Sequence, residues 1–138
     1  YRIYNKPFRN PVYRNYSEYV RENLNIEKMR EACAGFIGEH DFKSFCCVRT
    51  QAESTVRTVY SLDVDKKDDE IHITITGNGF LYNMVRIIAG TLIQVGKGRF
   101  EPEYVQYMLN ACDRTKAGQT APPQGLTLMK IDYLDEEG

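Results

Sequence analysis

The segment GNGFLYNMVRIIAGTLIQVGKGR, Gly77 to Arg99, decides how this chain is read, because it sets one arginine in the middle of an otherwise apolar helix. The spacing predicts a helix from near Phe80 to Gly96 that buries Phe80, Leu81, Met84, Val85, Ile88, Leu92 and Val95. Asn83, Arg86, Gly90 and Gln94 form the opposite stripe. A guanidinium keeps its charge when buried and needs a carboxylate or phosphate beside it, so Arg86 predicts an anion at the helix surface.

On the N-terminal side, Val56, Thr58, Tyr60, Leu62 and Val64 alternate, as do Ile71, Ile73 and Ile75, with the charged turn Asp65 to Asp69 between them, which is a hairpin. Before the hairpin, Asn25 is an N-cap for a helix carrying Ile26, Met29, Cys33 and Phe36, closed by Gly38, and a short strand is expected around Phe45 to Val48. Tyr1 to Tyr4, YRIY, reads as the middle of a strand, which would leave a sheet edge open and favour self-association. Asn5 to Glu22, rich in Asn, Pro, Arg and Tyr, reads as a long ordered loop in which Tyr13, Tyr16 and Tyr19 make contacts. On the C-terminal side a third helix starts near Pro102 and buries Val105, Met108, Leu109 and Cys112. After a loop from Asp113 to Gly125, Leu126 to Tyr133 alternate as a last strand before an acidic tail at 135–138. The fold class is α+β: a mixed, mostly antiparallel sheet with helices packed on one face.

Composition narrows the function classes. The 138 residues, 42% hydrophobic and 27% charged, suit one globular domain. No apolar run approaches the roughly 18 residues of a membrane span and no basic-then-apolar leader opens the chain, so a soluble, cytoplasmic protein without a membrane partner is expected. The net charge of -1 hides an asymmetry. Residues 1–30 hold Arg2, Lys6, Arg9, Arg14, Arg21, Lys28 and Arg30 against Glu18, Glu22 and Glu27, leaving room for a basic face that meets a phosphate backbone, or for ordinary solvated faces. Cys33, Cys46, Cys47 and Cys112 include no CxxC pair, so no metal site is expected even with His40 and His72 present, and the thiols are read as reduced.

Four features carry possible chemistry. Arg86 either forms a structural ion pair, with Asp41 or Asp113 as internal candidates, or orients and ionises a catalytic carboxylate or binds a phosphate. Gly77, Asn78 and Gly79 lie between a strand and a helix, where backbone amides can cradle an anion or simply make a tight turn. GEHDF, Gly38 to Phe42, reads as a capping and turn motif rather than an acid/base cluster, since consecutive side chains diverge. TAPPQGLTL, Thr120 to Leu128, is a stiff loop at a strand end, a connection or the wall of a pocket.

Together, GEHDFKSF (Gly38–Phe45), VRTV (Val56–Val59), GNGFLYNMVRIIAGTLIQVGKG (Gly77–Gly98), DRTKAGQTAP (Asp113–Pro122) and GLTLMKIDY (Gly125–Tyr133) closely resemble the C-terminal half of TruA-type tRNA pseudouridine synthases, in family order and with family-like spacing. The resemblance spans Tyr1 to about Tyr133, and residues 1–138 are read as that C-terminal domain, one half of the pseudouridine synthase fold. It implies an isomerase that converts uridine to pseudouridine in the tRNA anticodon stem-loop without a cofactor, acting as a homodimer. The family's catalytic aspartate belongs to an RTDxG motif of the other half; no RTD followed by GVH occurs here, and Asp113, Arg114 and Thr115 belong to a different motif. The resemblance therefore implies that Arg86 pairs with an aspartate these 138 residues lack, that Leu126 lies beneath the target base, that the base-stacking tyrosine falls at Tyr1 or just before it, and that the chain alone is inactive. The alternative is a non-catalytic tRNA-binding or dimerisation domain.

Overall fold

Asn25 starts the first helix as the sequence requires: its side chain accepts a hydrogen bond from the Lys28 amide, and Ile26–Phe36 (α1) follows. A computed structural model of the chain describes residues 1–6, 17–47 and 54–129. The α1 face that bears Met29, Ala32, Cys33 and Phe36 is buried against the sheet and the other helices. Phe36 meets Phe45 edge to face at 5.1 Å and Phe45 meets Phe42 at 6.2 Å, a geometry that aromatic quadrupoles favour; all three rings are fully buried.

Among the described residues the sheet has five strands: Arg2–Asn5 (β1), Glu18–Val20 (β2), Gly38–Asp41 (β3), Val56–Lys67 (β4) and Glu70–Gly77 (β5), in the order β2-β1-β5-β4-β3. Only the β1/β2 pair is parallel. The hairpin stands where alternation put it, but its strands run further: Lys67 pairs with Glu70, and the turn shrinks to Asp68 and Asp69, with Asp68 in the left-handed region at φ 53°. Ile3, Val59, Leu62, Val64, Ile71 and Ile73 form the buried layer under the helices. The expected α+β class, a mixed and mostly antiparallel sheet with helices on one side, is what the fold shows.

Several boundaries differ from the sequence reading. Glu18–Val20, read as part of a loop, is a strand, because Tyr19 pairs with Tyr4 and their rings lie 6.1 Å apart. β1 is therefore interior rather than an open edge, and among the described residues the sheet ends on β2 and β3. GEHDF supplies strand β3, begun by Gly38 at φ 102°, while the strand expected around Phe45 is replaced by a 3-10 turn, Lys43–Phe45. The central helix, Met84–Gly96 (α2), starts four residues later than expected, because Asn83 sits in the left-handed region at φ 63° and ends the preceding turn; Phe80 is left 41% exposed and Val85 half-buried. The third helix is Tyr104–Ala111 (α3), and Cys112, in its left-handed C-cap, is only partly buried. Leu126 to Met129 form no strand; Val48, Lys130 to Tyr133, the tail at 135–138, Tyr13 and Tyr16 lie outside the described residues.

Candidate active site

Arg86 lies one turn into α2, half-buried, with its side chain fixed from two sides. Its Nε donates to the Ala121 carbonyl at 2.8 Å and its Nη1 to Asn83 Oδ1 at 3.0 Å. Among the described residues no carboxylate forms an ion pair with it. The two internal candidates are engaged elsewhere: Asp41 Oδ1 accepts from the Lys43 amide and from Thr55 Oγ1, and Asp113 Oδ1 caps the 3-10 turn Arg114–Lys116 through Thr115. Nη2 is left without a partner among the described residues, so the guanidinium is oriented by neutral acceptors yet uncompensated in charge.

The orienting element is the segment from Gly118 to Pro122, which lies along α2 as a strap. Gly118 donates its amide to Thr91 Oγ1 at 2.9 Å, and Ala121 donates to the Arg86 carbonyl at 3.0 Å. Two glycines permit the approach. A Cβ on Gly90 would stand 1.7 Å from the Gln119 carbonyl oxygen, and one on Gly118 would stand 2.8 Å from Thr91 Cα. The stripe Asn83, Arg86, Gly90 and Gln94 is thus covered by the strap over its middle instead of facing solvent.

Tyr1 closes the arrangement. Its hydroxyl donates to the Pro122 carbonyl at 2.6 Å, and its ring packs so closely on Gly125 that a Cβ there would stand 2.7 Å from the ring. Burial pushes the Tyr1 phenol well above its ordinary pKa, with Glu18 adding to the rise and the nearby Arg86 charge opposing it. Leu126, next to Gly125, is extended and 41% exposed. Tyr1, Arg86 and Leu126, distant in sequence, are thus linked through one short loop. Beyond the strap, a cleft of about 670 Å³ opens between Gly90 and Gln94 of α2, Lys97 at its C-cap, the strap, and the Glu18–Glu22 segment; Lys97 is bridged to Glu22 at 2.8 Å.

The remaining candidates resolve into structure. Asn78 exchanges bonds with Thr58, at 2.9 Å through its side chain and 3.0 Å through its amide, so GNG acts as a turn that extends the hairpin. His40 Nε2 meets the Ile37 carbonyl and His72 pairs with Glu70. Among the described residues no three His, Cys, Asp or Glu side chains gather as metal ligands, and no helix is long and apolar enough to cross a membrane. What sequence reasoning missed is the strap, whose signal was the pair Gly90 and Gly118: two glycines whose only shared use is close backbone approach.

Fold and site together define an α+β domain that presents a rigidly aimed arginine, without a charge partner among the described residues, beside a tyrosine-backed loop. Residues 32–134 match the family described as tRNA pseudouridine synthase, and the chain belongs to that family. It is 49% identical over 133 residues to tRNA pseudouridine synthase A of Brevibacillus brevis, 51% to that of a Thermoanaerobacter species and 46% to that of Bacillus subtilis. Each match covers 96% of this chain and 54% of the relative, so the chain spans about half the length of the curated relatives it matches.

Proposed function

We propose that this chain is the arginine-bearing half of an isomerase that converts uridine to pseudouridine in the anticodon stem-loop of tRNA, and that the remaining half of the protein supplies the catalytic aspartate. The observation that carries the reading is Arg86: aimed by Ala121 and Asn83, with Nη2 unused and no carboxylate paired to it among the described residues. A carboxylate brought within about 4 Å of that guanidinium has its pKa lowered by roughly 1–3 units, which keeps it ionised at neutral pH and ready to attack the base. In this reading Tyr1 stacks on the target uracil, Leu126 supports it from below, and the chemistry needs no cofactor. The working enzyme is a cytoplasmic homodimer that grips tRNA through many phosphate contacts, and the isolated chain turns nothing over.

The test uses the whole protein. Arg86→Lys keeps the charge but loses the two-pronged geometry, and Arg86→Met removes both. Each should slow single-turnover pseudouridine formation far more than it weakens tRNA binding, because binding is spread over many contacts. Impaired binding with an intact rate at saturating tRNA would instead make Arg86 a phosphate ligand and overturn the assignment.

A further inference from the structure

We propose that Thr120, held by Arg114, is a positioning residue that sets the aim of Arg86; this rests on the reading of Arg86 as the partner of a catalytic carboxylate. Arg114 Nη2 donates to Thr120 Oγ1 at 3.1 Å, and Thr120 precedes Ala121, whose carbonyl holds Arg86 Nε and whose amide bonds the Arg86 carbonyl. The strap is therefore fastened at four points: Gly118 on Thr91, Thr120 on Arg114, Ala121 on Arg86 and Pro122 on the Tyr1 hydroxyl. The first and third tie it to α2. The fourth ties it to the residue before β1, and the second, next to the carbonyl that holds Arg86, ties it to the 3-10 turn Arg114–Lys116.

That element is anchored in the core. Ser44, fully buried, donates to the Met108 carbonyl of α3 and accepts the Asp113 amide, both at 2.7 Å. Asp113 then caps the 3-10 turn that carries Arg114. A continuous run of bonds thus leads from the α3 end through Ser44, Asp113, Arg114 and Thr120 to the carbonyl that aims the guanidinium. Arg114 has no carboxylate partner among the described residues, and burial lowers its pKa from the ordinary arginine value. A half-buried cation held on a neutral hydroxyl is a poor choice for stability alone, since an apolar contact would avoid the desolvation cost. It fixes direction, because a hydrogen bond has a narrow geometry where an apolar contact has none.

The experiment is a double-mutant cycle in the whole protein. Thr120→Val keeps the side-chain shape and removes the acceptor; it should lower the single-turnover rate at saturating tRNA about tenfold, since displacements near 1 Å at a reacting group cost up to about a hundredfold. The dissociation constant for tRNA should stay within about twofold, one loop bond being a small part of a contact spread over many phosphates. Thr120→Ser, which keeps the hydroxyl, should restore the rate. In an Arg86→Lys background Thr120→Val should cost nothing further, because residues that act through one another are not additive. Full additivity of the two substitutions, or a loss of binding with the rate intact, overturns the proposal while leaving the role of Arg86 standing. An unaltered rate in Arg86→Lys itself overturns both. Arg114→Gln tests the same bond from its other end and should reproduce the Thr120→Val result even if that variant folds poorly.

Discussion

Gly90→Ala is the sharpest single perturbation of the strap. At an open helical position this change stabilises by about 1 kcal/mol, since alanine is the best helix former and glycine nearly the worst. Here the new Cβ would stand 1.7 Å from the Gln119 carbonyl oxygen, more than an ångström inside any real contact, and the obstacle is backbone that cannot rotate away. The strap has to lift, and with it go the Ala121 amide bond to the Arg86 carbonyl and the Arg86 Nε bond to the Ala121 carbonyl. At about 1 kcal/mol for the neutral bond and about 2 for the charged one, the loss outweighs the helix gain by about 2 kcal/mol. Urea unfolding of the whole protein should show a lower midpoint with an unchanged slope. The same lift frees the guanidinium, so single-turnover pseudouridine formation should fall by up to about a hundredfold. A Gly90→Ala protein that is more stable, with an unaltered rate, would show that the strap does not press on α2.

Asn25→Ala removes the side chain that caps α1 and should cost about 1 kcal/mol in the same unfolding assay, while Asn25→Gly should cost less. The Glu22 carboxyl is held below its ordinary value of 4.5 by its bond to Lys97 and the attraction of that charge, so its contribution to stability is present above that pH and lost as the pH falls through the lower folded value. Glu22→Gln should therefore lower stability slightly at neutral pH, leave it unchanged below the folded value, and flatten the profile between the two. Burial pushes the Cys33 thiol up to about 12, so a thiol-specific reagent at pH 8 should label the partly exposed Cys47 well before Cys33, and peptide mapping of the labelled protein would reveal the opposite order.

Much of the fold was legible because its signals are local. Asn25 capping α1, the alternation of β4 and β5, and the stop of α2 at Gly96 all depend on neighbours within a turn or a hairpin. The elements that escaped depend on distant partners. Glu18–Val20 has three residues and no period long enough to detect; it is a strand only because β1 is beside it. Gly38–Asp41 carries turn-forming residues, and Asp41 does bond the Lys43 amide as a turn residue would, but pairing with Val56–Val59 draws the segment into the sheet. The late start of α2 follows from the left-handed Asn83, which apolar spacing cannot reveal. At the site, Arg86 stood out because a charge in an apolar helix is conspicuous, whereas the strap that aims it acts through backbone carbonyls and amides that leave no mark on side-chain chemistry.

The sheet order has a consequence for the timing of synthesis. β1 is made long before its antiparallel neighbour β5, and Tyr1 and Pro122, joined by one hydrogen bond, lie 121 positions apart. At about 5–20 residues per second the ribosome needs roughly 6 to 24 s to supply Pro122 after Tyr1. During that interval β1 gains β2 and then β5 as partners, while α1 and the β4/β5 hairpin form from nearby residues and the Tyr1 hydroxyl still lacks its carbonyl. The loop that carries the site follows the five described strands and the helices α1 to α3 in chain order, so a nascent chain acquires that core before it acquires an aimed arginine.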